Sequence, residues 1–312
     1  MKIFLSCDWG TSSFRLNLVN IASASIIATD RTANGIASTY QLWTKSGADE
    51  STRAAFYLKS INASIKKLEK QTAQSLTGVP VVLSGMVSSS IGIKNLPYQT
   101  VPFLLNGSDL LAERWSPRPD FPHEVLIISG ARTENDVMRG EETQIIGANL
   151  HSKEEHTLIM PGTHSKHVFI KNGQVIGFKT YMTGEFFALL SQRSTLSEAI
   201  ATENTTEGND YFEKGITDSL TANLLHRPFS IRANYLFGKT TKTMNFHYLS
   251  GLLIGTELRS LPAPSTTSMT LIADGDIGSH YRRGFEILGL TEVAVQSADQ
   301  ALIQGQKKLL QL

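Results

Sequence analysis

At 312 residues the chain exceeds the size at which a single hydrophobic core stops growing, so two domains are expected. Apolar residues make up 41% and charged residues 18%, with 24 Gly and 10 Pro, which excludes disordered and fibrous classes. A formal net charge of +1 provides no field for holding a polyanion or an anionic membrane surface, so neither nucleic acid nor membrane is an expected partner.

The opening KIFLSCDWGTSSFRLNLVN reads as a hairpin: a β-rich run, a Gly-Thr-Ser-Ser turn, and a second run in which Phe14, Leu16 and Leu18 alternate with polar residues. Its single cysteine, Cys7, excludes a disulfide framework and fits a reducing compartment. No apolar signal-peptide region precedes it, so a cytoplasmic location is expected. Helical periodicity runs over Ser51 to Lys70, with Ala55, Leu58, Ile61, Ile65 and Leu68 at three- and four-residue steps. VPVVLSGMVSSS then reads as a strand entering a Gly-Ser loop, and Asn95 to Pro122 as loops and short strands. HEVLIISGARTEN is another strand ending in a polar loop. DVMRGEETQIIGANL reads as a helix with Asp136 at its start.

TLIMPGTHSKHVFIKNGQVIGFKT repeats the opening pattern, with Gly10, Thr11 and Ser13 answered by Gly162, Thr163 and Ser165. This internal similarity marks a duplicated unit. Helical patterns follow at Gly184 to Ile200, Phe212 to Leu225 and HYLSGLLIGTELRSL, where Gly251 and Gly255 allow close packing on another element. After a Pro-Ser-Thr linker, TLIADGDIGSHYRRGFEILGL reads as strand, Gly-rich loop and helix, and AVQSADQALIQGQKKLL as a last amphipathic helix. Alternating strands and helices point to α/β layers.

Phosphoryl transfer needs phosphate cradles, a metal partner and a base for the acceptor hydroxyl. The two Gly-Thr-Ser turns offer backbone N–H groups and hydroxyls without bulk, and Asp8 beside the first turn is a candidate Mg²⁺ ligand. Asp136 is the chosen base, with Glu141 and Glu142 competing for the same role. The loop from Ala273 to Gly278, with Gly275 and Gly278, is an adenine-cradling candidate. No GxxxxGK[ST] run exists and no G-x-S-x-G elbow surrounds Ser84 to Ser90, which argues against a P-loop enzyme and a serine hydrolase. His164 and His167 fall on opposite faces of the second hairpin, which disfavours a metal pair.

These strings resemble a known family. DWGTSSFR is similar to the first phosphate motif of the acetate and sugar kinase, heat-shock and actin superfamily, and PGTHSKHV falls where that superfamily has its second. DVMRGEETQIIG, MPGTHSKHV, the TGE of TYMTGEFF and YLSGLLIGTEL together look like the 2-dehydro-3-deoxygalactonokinase family, from Cys7 to about Leu290. The resemblance implies an α/β fold of two ribonuclease-H-like (actin-like ATPase) domains, at 1–147 and 148–312, with an interdomain cleft. It implies MgATP as cofactor and transfer of the γ-phosphate to the 6-hydroxyl of a 2-keto-3-deoxy sugar acid. It makes Asp8, Gly10, Thr11 and Ser12 phosphate-1 residues, with Asp8 the metal ligand. Gly162, Thr163, His164 and Ser165 become phosphate-2 residues, Asp136 the base, and Gly85, Met86 and Val87 the acceptor-facing strand end. Where the family pattern has Arg, Trp and an acidic residue, this chain has Ser90, Ile93 and Asn95. Lys94, Arg132 or Arg139 is then expected to meet the substrate carboxylate, and Arg139 is the choice. The altered loop also leaves two alternatives, an ATP-binding regulatory protein of the same fold or a kinase for another sugar. Homo-oligomerisation stays open.

Overall fold

The computed structural model describes residues 2–47, 49–150, 155–201, 209–261, 267–290 and 292–312. In chain order its elements begin with β1 (Ile3–Trp9), β2 (Phe14–Asn20), β3 (Ile26–Thr32), α1 (Ile36–Lys45), α2 (Arg53–Thr72) and β4 (Val81–Gly85). They continue with β5 (Gln99–Thr100), β6 (Phe103–Leu104), β7 (Ala112–Trp115), β8 (Val125–Ile128), β9 (Ala131–Arg132), β10 (Val137–Met138) and α3 (Glu141–Gly147). Next come β11 (His156–Met160), β12 (Ser165–Lys171), β13 (Gln174–Tyr181), α4 (Thr183–Arg193), α5 (Asn209–Ser219), α6 (Phe229–Leu236) and α7 (Lys242–Leu258). The last are β14 (Ser268–Ile272), α8 (Gly275–Ile287), β15 (Val293–Gln296) and α9 (Ala298–Gln311). The linker stretch 262–266 lies outside the described residues. No helix among those described is long and apolar enough to cross a membrane.

The chain divides into two compact units. The first holds Met1–Ser152, Gly173–Gly177 and Ala298–Leu312, and the second Lys153–Asn172 and Phe178–Ser297. The closing helix α9 therefore sides with the N-terminal unit, whereas the sequence expectation ran the second domain through 148–312. The reason is packing: a Cβ at Gly147 would meet the Ala301 carbonyl at 1.7 Å, and one at Gly305 the Thr143 carbonyl at 1.8 Å, so glycines let α3 and α9 touch backbone to backbone.

In the first unit the strand order is β3-β2-β1-β4-β8-β7. β1 pairs antiparallel with β2 and parallel with β4, and β4 pairs parallel with β8. The expected opening hairpin is present, with Cys7 opposite Leu16. Its inward residues join α2 in one core, where Trp9 and Phe14 meet edge to face at 4.8 Å beside Tyr57, Ile61 and Leu83. Burying each such large apolar side chain contributes roughly 1.5–3 kcal/mol. Ile93, from the loop that departs from the family pattern, is in this core.

The order recurs as β13-β12-β11-β14-β15 in the second unit, to which the Phe178–Tyr181 part of β13 belongs. β11 again pairs antiparallel with β12 and parallel with β14, and β14 parallel with β15. Both units thus carry the strand order and mixed pairing of a ribonuclease-H-like layer, as expected. Gly251 on α7 is packed so closely on α5 that a Cβ would meet the Phe212 carbonyl at 2.1 Å, matching the close packing anticipated from the small residues.

One segment differs from its sequence reading. Val137 and Met138 pair as β10 with Arg132 and Ala131, and the helix begins only at Glu141. Asp136 is therefore in a hairpin turn and is not a helix cap. The break falls at Gly140, whose φ of +113° is a conformation other residues rarely adopt.

Candidate active site

In the first unit the Gly10 to Ser13 turn closes on a bond from the Gly10 amide to the Ser13 carbonyl at 2.9 Å, leaving Thr11 and Ser12 exposed. The start of α1 rests directly on it. The Ile36 amide donates to the Gly10 carbonyl at 2.9 Å and that of Ala37 to the Thr11 carbonyl at 3.1 Å. A Cβ at Gly35 would lie 2.2 Å from the Thr11 oxygen, so only glycine admits this approach. The second unit repeats the device. The Glu185 amide donates to the Thr163 carbonyl at 3.0 Å, and a Cβ at Gly184 would meet the Gly162 oxygen at 2.7 Å. Each Gly-Thr turn therefore has the positive end of a helix dipole beside it, an arrangement that favours anions.

Asp8 is the next-to-last residue of β1 and faces Arg15 across the hairpin at 3.0 Å. Arg15 also bonds Asp299 on α9, which Arg31 approaches at 3.6 Å. Burial raises the Asp8 pKa, the Arg15 guanidinium opposes that rise, and the charges of Asp299 and Glu141 add to it. Gly85, at the end of β4, has φ +90°, and a Cβ there would lie 2.8 Å from the Trp9 carbonyl and 3.5 Å from Asp8 Oδ1. A Cβ at Gly140 would in turn lie 3.3 Å from Gly85 Cα. Asp8, Gly85, Gly140 and Glu141 thus gather at the carboxyl ends of the parallel strands, where open α/β sheets place their ligand sites.

The two neighbouring glutamates differ. Glu141 Oε2 accepts from the Arg139 amide at 3.0 Å and is half-buried. Glu142 is fully buried, accepts from the Gly140 amide and the Thr143 hydroxyl, and has its pKa pushed up to about 8 by burial and by the Glu141 charge. Asp136 accepts from the Val137 amide at 2.8 Å through Oδ1.

Of the expected acceptor residues, Met86 begins the short helical turn Met86–Ser88 after β4, and the Val87 side chain is wholly buried in the core. Arg139 reaches this turn. Its Nη1 donates to the Ser88 carbonyl at 2.5 Å and to the Ser88 hydroxyl at 2.6 Å, and its guanidinium lies 4.1 Å from the Tyr98 ring centre. Lys94 approaches Glu113 at 3.7 Å, and Arg132 is exposed on β9.

In the second unit His164 is exposed in its turn and meets Glu185 at 2.7 Å, whereas His167 is buried against Glu257 at 3.0 Å, so the two histidines have separate partners. Ser165 is fully buried, its hydroxyl 3.0 Å from the Tyr281 hydroxyl. A cavity of about 320 Å³ opens beside Gly162, lined by Phe187, Phe246, Leu253, Ile277 and His280 among others. Phe187 and Phe246 pack edge to face at 5.0 Å. Burial lowers the His280 pKa and nearby His247 adds to the effect. Gly275 and Gly278 are not in the lining. Gly275 is exposed at the start of α8 and Gly278 packs on Ala273, while Asp276 and Ile277 between them face the cavity.

Sequence reasoning missed Gly35, Arg15 and the cavity aromatics. Gly35 precedes an amphipathic run as Gly184 does, so comparing the two repeats beyond their hairpins would have found the pair. Arg15 lies seven residues from Asp8, the register a tight hairpin makes adjacent.

The family model for 2-keto-3-deoxy-galactonokinase matches residues 8–309. A Rhizobium meliloti (strain 1021) protein named probable 2-dehydro-3-deoxygalactonokinase is 33% identical over 315 residues, covering 97% of this chain and 94% of its own. The 2-dehydro-3-deoxygalactonokinase of Escherichia coli (strain K12) is 34% identical over 235 residues, covering 72% and 77%. A crystal structure from Sinorhizobium meliloti, provisionally given the same enzyme name, superposes with a TM-score of 0.76 at 29% identity, over 97% of this chain and 96% of the other. With its two like-ordered sheets and its helix-backed glycine turns, the chain belongs to the 2-keto-3-deoxy-galactonokinase family of sugar-acid kinases.

Proposed function

We propose that the protein uses MgATP to phosphorylate a hydroxyl, the 6-hydroxyl by its family likeness, of a 2-keto-3-deoxy sugar acid such as 2-dehydro-3-deoxy-D-galactonate. The gathering of Asp8, Gly85, Gly140 and Glu141 beside a helix-backed Gly-Thr-Ser turn is the observation that carries this reading. Thr11 and Ser12 would hold phosphate oxygens through backbone amides and hydroxyls, with Gly10, whose amide closes the turn, keeping side-chain bulk away from them. Thr163 and His164 would do so from the second turn, and Ser165, turned inward, would act by shaping that turn. The cavity in the second unit, of about 320 Å³ and walled by aromatics, suits the nucleoside end of ATP.

Hard carboxylate oxygen at Asp8, with further negative charge at Glu141, fits Mg²⁺, which neutralises phosphate charge when bound. Arg139, held over the turn after Gly85, is the proposed partner of the substrate carboxylate. Two carboxylates are proposed for the proton of the acceptor hydroxyl. Glu141 is favoured over Asp136, because it follows the Gly85–Gly140 approach and its charge acts on Asp8.

A coupled ATP-turnover assay across a panel of sugar acids tests the activity, and no turnover at millimolar substrate overturns it. Glu141→Gln should lower kcat by about 100-fold or more with ATP binding kept, and Asp136→Asn should change kcat by less than about tenfold. The reverse pattern returns the base to Asp136.

A further inference from the structure

Glu257 on α7 is 2% exposed, and burying a carboxylate is costly unless donors surround it. Its donors come from three other elements of the second unit. His167 Nε2 on β12 reaches Oε1 at 3.0 Å, and the hydroxyls of Thr183 on α4 and Tyr281 on α8 both reach Oε2 at 2.5 Å.

Two of them, Tyr281 and Thr183, lead to the Gly162 to Ser165 turn. Because Tyr281 gives its only proton to Glu257, its oxygen accepts from the Ser165 hydroxyl at 3.0 Å. The Ser165 oxygen is then left to accept from the Gly162 amide at 3.3 Å. One donor direction thus runs from the turn backbone to the carboxylate. Thr183 starts the helix whose next residue, Gly184, abuts the Gly162 carbonyl. Gly162, Thr183 and Tyr281 also line the cavity assigned to the nucleoside.

We propose that Glu257 is a positioning residue for phosphate transfer, setting the path of the Gly162 to Ser165 turn through Tyr281 and Ser165 on one side and Thr183 on the other. The proposal rests on the reading of that turn as a phosphate holder. Stability alone does not call for a buried carboxylate, since apolar side chains of similar volume commonly hold a core as well. The Glu257 hub instead gives the turn a single hydrogen-bonded arrangement.

The test uses the full chain and measures adenosine, ADP and ATP affinities by calorimetry, together with kcat, KM and Tm, for wild type, Tyr281→Phe and Glu257→Gln. Tyr281→Phe keeps the ring and its packing, so it decides the matter if Glu257→Gln fails to fold. Adenosine affinity should stay within about twofold, while the gain of ATP over adenosine and kcat each fall about tenfold. Unchanged ATP-over-adenosine gain and kcat in Tyr281→Phe overturn the proposal, as does a loss of adenosine and ATP affinity in equal proportion. A wild-type chain that binds neither adenosine nor ATP overturns the nucleotide reading beneath it, which separates the two failures.

Discussion

Arg15 holds Asp8 at 3.0 Å across the first hairpin, a contact set by the register that places the two residues opposite each other. Removing this cation leaves Asp8 facing Asp299 and Glu141 without compensation. Arg15→Ala should lower kcat/KM for MgATP by about 10- to 100-fold, because Asp8 loses the contact that orients it, and lower the Mg²⁺ concentration needed for half-maximal rate, because no neighbouring cation then competes for the carboxylate. Arg15→Lys should recover only part, since one ammonium cannot replace a guanidinium fork on two carboxylates. Steady-state kinetics against Mg²⁺ concentration provide the check, and an unchanged Arg15→Ala profile would remove Asp8 from the metal assignment.

Gly35 and Gly184 are matched contacts in the two repeats. A methyl group at either would press on a turn carbonyl, at 2.2 Å and 2.7 Å respectively. Gly35→Ala and Gly184→Ala should each cost about 1–3 kcal/mol of stability and push the helix start off its turn, raising KM for ATP. Thermal melts and ATP titrations measure both effects. Gly47→Ala, at a site where no atom lies within 4 Å, is a control with a strained backbone and no steric clash.

Arg139 is tied to Ser88 and stacked on Tyr98, with its backbone amide on Glu141. Arg139→Ala should raise KM for the sugar acid by about 10- to 100-fold while changing KM for ATP little. The same substitution tested with a neutral sugar analogue should show a smaller effect. Equal losses for both acceptors would mean that Arg139 supports the loop and does not meet a carboxylate.

Glu142 carries a pH signature. Its pKa rises from 4.5 to about 8, chiefly through burial. Between those values the folded chain keeps a proton that the unfolded chain has released, so the carboxyl's contribution to stability is fully present below the lower value and is lost as pH rises through the upper. Glu142→Gln should therefore flatten the fall of Tm between pH 5 and pH 8. Its gain over wild type should be larger at the alkaline end. Parallel melting curves in matched buffers check this, and identical slopes would show that Glu142 is charged in the fold.

Local chemistry determined much of this protein in advance. Alternation around Cys7 and Leu16 made the opening hairpin legible, the three- and four-residue steps from Ala55 to Leu68 marked α2, and the recurrence of Gly-Thr-x-Ser revealed the duplicated layer. These signals lie within one element or one turn, where propensity and periodicity act directly. Asp136 was misplaced because Val137 and Met138 are held as a strand by Arg132 and Ala131, a pairing that a helical pattern in DVMRGEETQIIG does not record. The contacts that make the candidate site were decided only by tertiary structure. Gly85 meets Gly140 across more than fifty residues, and Glu257 collects donors from three other elements. No local spacing encodes such contacts, because they exist only once strand order and helix packing have brought distant backbone together.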